Sequence, residues 1–113
     1  MELTVKALSD ALGAEVLCMP EGDRVPHGVY IGDLLSWVMG HAESGNVWVT
    51  VMTNINVAAV ATLTDVSCVI ITDASEITPD VVATADSKGV NLFRTPLSSY
   101  AVSVRLHELL GDE

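Results

Sequence analysis

The apolar pattern of this chain centres on the stretch from Asn46 to Asp65, NVWVTVMTNINVAAVATLTD. Residues 47–52 form a near-continuous run of β-forming residues, which is typical of a strand covered on both faces. Residues 57–63 are apolar on nearly every side and predict a buried helix. The turn between strand and helix carries three uncharged polar side chains, Thr53, Asn54 and Asn56. We expect this turn to be the first place where a functional site would lie.

The remaining pattern predicts alternating helices and strands along the whole chain. Strands are predicted at residues 15–19, 29–31, 67–72 and 90–94, and helices at 4–12, 34–42, 78–88 and 98–110. The order is therefore a helix, a strand and then four strand–helix units. Such alternation predicts a single α/β domain over residues 1–113, with a mostly parallel sheet of about five strands and helices on both faces.

Capping residues support the helix boundaries. Thr4 is placed to cap the first helix and Gly13 to end it. Asp33 is the predicted N-cap of the second helix. Thr78 and Pro79 form a cap followed by proline at the first helical position, which marks the start of the fourth helix.

Two of the predicted helices, 34–42 and 57–63, lack a polar face. A domain of this size cannot easily bury both of them within one chain. We therefore predict a homodimer formed through apolar helices that include Trp37 and Val57, because two-fold dimers are the commonest assembly. The alternative is that one of the two helices lies at the centre of the monomer core.

Composition narrows the class of protein. The 113 residues carry a formal net charge of −10 with only five Lys and Arg residues, which argues against nucleic acid as a partner. No apolar run approaches the roughly 20 residues of a membrane span, and the start at Met1 lacks the basic region of a secretory signal. The sequence therefore predicts a cytoplasmic protein with no membrane contact. Cys18 and Cys68 fall in strands and are expected to act as small buried apolar residues.

Familiar catalytic and binding motifs do not occur in the sequence. It has no GxxxxGK(S/T), GxGxxG, CxxC, HExxH or GxSxG pattern. His27, His41 and His107 are far apart in sequence, and surface or interface positions are favoured over metal ligation. No catalytic residue, metal or cofactor is predicted.

Polar residues at the points where strands end provide the best candidate site. In parallel α/β sheets, ligands bind outside the carboxyl ends of the strands. The candidate ligand-binding residues are Gly32, Asp33, Thr53, Asn54, Asn56, Thr72, Asp73, Arg94 and Thr95. The alternative at each position is a local role as a helix cap or turn. The carboxylates of Asp33 and Asp73 would repel a phosphate unless Mg²⁺ or Arg94 intervened.

Three segments, residues 24–39, 49–57 and 92–95, together resemble a small stand-alone DRTGG-domain protein. A weaker resemblance extends to the N-terminal domain of HPr kinase/phosphorylase. The resemblance implies an α/β domain that forms dimers and serves as a regulatory or accessory module, for example beside CBS domains in pyrophosphatases or in phosphotransacetylases. Stand-alone relatives are implied to accompany hydrogenases and other redox enzymes. Kinase activity is not carried over, because the domain with the P-loop is absent.

The chain departs from the resembled pattern at two turns. The pattern has a Gly-Asp-Arg type turn after the central strand, where this chain has residues 53–55, Thr-Asn-Ile. It has Thr-Gly-Gly after the next strand, where this chain has residues 72–74, Thr-Asp-Ala. A charged contact through the Asp–Arg pair is lost, but Asn54 and Asn56 can still donate and accept hydrogen bonds.

These observations predict a non-enzymatic regulatory or dimerisation module. We expect it to bind a small polar ligand or a nucleotide and to act beside a metabolic or redox enzyme, where it could serve as a stabilising subunit. The alternative is an enzyme that acts on a phosphorylated or acyl substrate.

Overall fold

The computed structural model describes residues 3–111, in which helices and strands alternate in the predicted order. Their bounds are α1 Val5–Leu12, β1 Glu15–Cys18, β2 Val29–Ile31, α2 Leu35–His41, β3 Val47–Thr50, α3 Asn56–Thr64, β4 Cys68–Ile71, α4 Pro79–Ser87, β5 Leu92–Arg94 and α5 Ser99–Leu110. The predicted caps of the first and last helices are present. Thr4 accepts a hydrogen bond from the backbone N–H of Ala7, and Ser98 accepts one from that of Ala101. Gly13 ends α1 with a left-handed backbone.

The sheet confirms the predicted fold class. Its strand order is β1-β5-β4-β3-β2, and the neighbours from β5 to β2 are parallel. Only β1 is antiparallel, pairing Glu15 with Arg94 at one edge of the sheet. The strand β2 forms the opposite edge.

Side chains alternate between two apolar layers, one on each face of the sheet. Trp48 and Val69 contribute to the layer under α2, α3 and α4. Val47 and Ile70 contribute to the layer under α1 and α5. Trp48 is fully buried, and its indole N–H donates to the carbonyl of Gly32 at 2.9 Å. This alternation explains why β3 and β4 read as continuous apolar runs.

Three buried polar residues, each immediately before a parallel strand, tie the amino ends of the sheet together. Asn46 precedes β3, Ser67 precedes β4 and Asn91 precedes β5. The hydroxyl of Ser67 donates to the carbonyl of Asn46 at 3.1 Å, and the amide of Asn91 donates to the carbonyl of Ser67 at 2.9 Å. The three residues therefore satisfy one another across the sheet, as buried polar groups must.

The loop from β1 to β2 crosses these amino ends. Asn91 bonds both backbone groups of Glu21, and Asn46 donates to the carbonyl of His27. Between these two points, the guanidinium of Arg24 donates to the side chain and carbonyl of Asp65. The hydroxyl of Ser44 and the guanidinium of Arg24 lower the pKa of Asp65 below its ordinary value, although burial acts in the opposite direction.

Asp33 does not cap α2, contrary to the prediction. The N-cap position is Leu34, which offers no side-chain acceptor. The Asp33 carboxylate instead accepts from the hydroxyl of Thr50 at 2.8 Å and from the backbone N–H of Val51 at 2.9 Å. Because Thr50 is fully buried, its hydroxyl needs an acceptor, and Asp33 supplies it.

The two apolar helices of the prediction have different environments. α3 buries most of its residues, and Val57, which we predicted at a dimer contact, is only 2 % exposed. Val57 therefore belongs to the core. α2 buries only Val38, whereas Leu34 at its start and Trp37 within it are 65 % and 58 % exposed. Leu63 near the end of α3 is 74 % exposed, so both helices leave apolar surface uncovered, with more such side chains at α2.

Neither thiol is placed for redox or nucleophilic chemistry. Burial raises the pKa of the Cys68 thiol to about 12 and that of the half-buried Cys18 thiol to about 11. Both thiols are therefore protonated near neutral pH, and a protonated thiol is a poor nucleophile. Within residues 3–111, no helix combines the length and apolar character needed to cross a membrane.

Candidate functional site

The carboxyl ends of the parallel strands do not form one crevice. Crevices in open α/β sheets arise where successive crossover helices lie on opposite faces of the sheet. Here α2, α3 and α4 all pack on the same face. The ends of β3 and β4 are adjacent, since the N–H of Thr72 donates to the carbonyl of Thr50 at 3.0 Å. The outermost predicted residues are separated, because β3 and β4 lie between Asp33, after β2, and Arg94 on β5. At roughly 4.8 Å per strand, three strand spacings amount to about 14 Å.

The first group of predicted residues lies after β2 and β3. Asp33 holds Thr50 and Val51, as described above, and Gly32 donates its N–H to the carbonyl of Val49 at 3.1 Å. The side-chain oxygen of Asn54 accepts from the backbone N–H of Asn56 at 2.8 Å, which forms a tight polar turn before α3. This turn orients the side chain of Asn54, which is exposed. Its carboxamide N–H groups can donate hydrogen bonds to a polar ligand.

The second group lies after β4 and β5 and is largely engaged in internal contacts. Thr72 donates its hydroxyl hydrogen to the carboxylate of Asp73, and the backbone N–H of Ala74 donates to the carbonyl of Thr95 at 2.8 Å. The guanidinium of Arg94 forms an ion pair with Glu15 on β1 at 2.9 Å. Arg94 is therefore already paired with a carboxylate and does not balance the charge of Asp33.

A groove of about 290 Å³ includes Arg94 and Thr95 at the carboxyl end of β5, and a larger groove lies at the opposite, amino ends of the strands. It has a volume of about 510 Å³ and runs between the start of β2 and the loop that follows α2. Residues that line it include His27, Tyr30, His41, Glu43 and Ser44. Among residues 3–111, no three His, Cys, Asp or Glu side chains are grouped to hold a metal ion. Local sequence patterns do not predict this groove, because its two walls are separated by the whole of α2.

A family model for the DRTGG domain matches residues 7–109. The chain belongs to the DRTGG domain family. This confirms the family predicted from the sequence, while the weaker likeness to HPr kinase/phosphorylase stays a prediction. A comparison with curated proteins gave no match.

One solved structure shares the DRTGG fold over nearly the whole chain. It contains the CBS and DRTGG domains of the regulatory region of Clostridium perfringens pyrophosphatase, complexed with its activator, diadenosine tetraphosphate. The TM-score is 0.79 with 18 % sequence identity, and the match covers 96 % of the present chain. The present chain spans about half of that structure's chain, 47 %.

The turn at residues 72–75, where the sequence resemblance implies Thr-Gly-Gly, has a backbone suited to glycine. Asp73 and Ala74 have φ angles of 59° and 51°, and the N–H of Ser75 donates to the carbonyl of Thr72 at 3.2 Å. Two consecutive positive φ angles define a type I′ turn, which favours Gly, Asn and Asp. Ala74 lacks a side chain that could stabilise this conformation, so the turn is strained at that residue.

Ala74→Gly is expected to raise the free energy of unfolding by about 0.5–1 kcal/mol, because glycine adopts a positive φ without steric cost. Denaturant unfolding of the variant and the parent protein would measure the change. Ala59→Gly is the matched control, since Ala59 is exposed in the interior of α3 and glycine there should cost about 1 kcal/mol. Equal destabilisation by both substitutions would contradict the strained turn.

Proposed function

We propose that this DRTGG domain is a non-enzymatic regulatory module that works as a homodimer and binds a small polar ligand. The observation that carries the dimer is a surface of exposed apolar side chains beside an edge strand. This α2 surface consists of Ile31, Leu34 and Trp37, which are each half exposed or more. Large apolar side chains gathered in one short segment are characteristic of an interaction site.

The edge strand β2 favours a second copy as the partner. β2 pairs with β3 on one side only, so its outer backbone groups are available to another strand. A two-fold axis at this edge would bring the α2 surfaces of two chains together and bury Trp37 on both copies. Aromatic residues buried at such centres dominate the affinity of interfaces.

Regulation is supported by the family and by the solved relative. That relative is the regulatory region of a pyrophosphatase and holds a nucleotide activator. In the present chain, the thiols of Cys18 and Cys68 are kept protonated, which argues against their use as nucleophiles. We propose that the dimer regulates a metabolic or redox enzyme, and a protein that co-purifies with the chain would identify that enzyme.

The ligand proposed for the turn at Asn54 is neutral and polar. The nearby carboxylate of Asp33 and that of Asp73 disfavour a polyphosphate, and Arg94 is paired with Glu15. A ligand carrying hydroxyl or amide groups could bond the exposed amide of Asn54 without placing a negative charge near these carboxylates.

In thermal unfolding, we expect adenosine to stabilise the domain and diadenosine tetraphosphate to have no effect without Mg²⁺. A ligand at 100 times its Kd raises the free energy of unfolding by about 2.7 kcal/mol. Asn54→Ala should abolish the shift, whereas Asn54→Gln retains the amide and serves as the matched variant. If diadenosine tetraphosphate without Mg²⁺ stabilised the domain as much as adenosine does, the result would contradict a neutral site.

A further inference from the structure

The groove at the amino end of β2 has the size and the rigid walls of a small-molecule site. Its volume of about 510 Å³ lies within the range of roughly 300–1,000 Å³ that such sites occupy. Asn46 joins the two walls, because its amide donates to the carbonyl of His27 and its side-chain oxygen accepts from the N–H of Glu43, both at 2.8 Å. The N–H of His27 also donates to the carbonyl of Gly45 at 2.8 Å.

Further contacts behind the groove hold its second wall, the loop that follows α2, in place. The hydroxyl of Ser44 donates to the carboxylate of Asp65 at 2.5 Å, and the N–H of Gly45 donates to the carbonyl of Asp65 at 2.8 Å. Asp65 is in turn paired with Arg24 at 3.0 Å. The groove is therefore shaped before any ligand enters, which lowers the entropic cost of binding.

The hydrogen-bonding groups in the groove favour a ligand that donates. Nδ1 of His41 lies 2.8 Å from the carbonyl oxygen of Trp37, which can only accept, so Nδ1 carries the proton. In the neutral ring, Nε2 is then an acceptor. The hydroxyl of Ser44 gives its hydrogen to Asp65 and offers only lone pairs, and Glu43 adds a carboxylate. Three acceptors thus line one groove.

The charge around the groove disfavours an anion. Arg24 is the nearby cation, and its guanidinium is committed to Asp65 and to the carbonyl of Val66. Glu43 is negative, and the whole chain carries a formal net charge of −10. Tyr30, which packs on the same face of the sheet as α2, supplies apolar surface that suits a short hydrocarbon segment.

We propose that the groove formed by His41, Glu43 and Ser44 beside β2 is a binding site for a small organic cation that carries a primary amine or guanidinium group. The Glu43 carboxylate pairs with the cation, and Nε2 of His41 and the Ser44 oxygen accept its remaining N–H groups. Bonds from a cationic donor to a carboxylate are shorter and stronger than bonds between neutral groups. This site is separate from the turn at Asn54 and does not depend on a ligand there.

Isothermal titration calorimetry with agmatine and with inorganic phosphate at pH 8 tests the proposal. We expect agmatine to bind with a stoichiometry of one per chain at millimolar or lower concentration, and phosphate to give no binding heat. Absence of agmatine binding at millimolar concentration, or binding of phosphate in preference to agmatine, would overturn the proposal.

Substitutions of Glu43 and His41 test which side chains contact agmatine. Glu43→Gln preserves the shape of the side chain and removes its charge, so the Kd for agmatine should rise at least tenfold. His41→Phe keeps a ring beside Trp37, which His41 stacks at 4.3 Å, but lacks Nε2, so the Kd should also rise. Glu108→Gln on α5, which packs on the other face of the sheet, is the matched control and should leave the Kd unchanged. An equal effect of the Glu43 and Glu108 substitutions would show non-specific charge attraction and overturn the site.

Discussion

Trp48→Ala is expected to lower the free energy of unfolding by about 3–5 kcal/mol, the range found when a large buried aromatic is truncated. Trp48 is fully buried in the layer under α2, α3 and α4, and its indole donates to the carbonyl of Gly32. The truncation leaves a cavity and removes the donor to that carbonyl. A loss of this size is a large part of the roughly 5–15 kcal/mol that stabilises a typical domain.

The second tryptophan provides a matched control for this substitution. Trp37 is 58 % exposed, so Trp37→Ala should change the stability of the monomer by less than about 1 kcal/mol. Urea unfolding followed by circular dichroism would compare both variants at the same low protein concentration. Should Trp48→Ala fail to fold, Trp48→Phe should show a smaller loss. Equal losses for the two tryptophans would contradict the described core.

Trp37→Lys is expected to raise the dissociation constant of the dimer by about 30-fold or more. This corresponds to the loss of about 2 kcal/mol or more that defines a hot-spot residue. Two lysines near a two-fold axis also repel each other and resist dehydration. Because Trp37 is exposed in the monomer, its fold should survive the substitution. Sedimentation velocity over a range of concentrations would measure the change.

The matched control for the dimer is Tyr100→Lys. Tyr100 is 81 % exposed and lies on α5, which covers the face of the sheet opposite α2. This variant also replaces an exposed aromatic with lysine, but it should dissociate at the same concentration as the parent chain. Dissociation of both variants alike would show that added charge, rather than the α2 surface, controls assembly.

Helices and strands that are determined by residues close together in the chain can be predicted from the sequence. Thr4 and Ser98 cap helices through N–H groups three residues ahead, and Pro79 begins α4 as expected. The apolar runs of β3 and β4 identify strands that are covered on both faces. Alternation of these elements was then enough to establish a mostly parallel sheet.

Features that depend on distant contacts were not predictable in this way. Asp33 has the residue type and position of a helix cap, but it bonds the buried hydroxyl of Thr50, which is brought close only when β2 pairs with β3. The apolar residues around Val57 in the sequence do not show by themselves whether their helix is buried in the core or exposed at the surface. It is buried because α3 packs between α2 and α4 on one face of the sheet.

The individual turns of the candidate site could be predicted from the sequence, but their arrangement in the fold could not. The turns at Asn54 and Asp73 occur where expected, but the strand order places the residues after β2 and those after β5 on opposite sides of the sheet. The groove near His41 needed the fold, because its walls are joined by contacts of Asn46 and by the bond from the N–H of His27 to the carbonyl of Gly45. In the sequence, a polar residue stands directly before each apolar strand, as at Asn46 and Asn91. This pattern was the one available indication that polar contacts link the amino ends of the strands.

Light scattering of the chain at micromolar concentration tests the proposed regulatory dimer most directly. One chain has a mass of 11.9 kDa, and we expect a particle of twice that mass, which Trp37→Lys should reduce to the mass of one chain. A mass of one chain across the whole micromolar range, or a dimer whose mass is unchanged by Trp37→Lys, would contradict an interface built on the α2 surface.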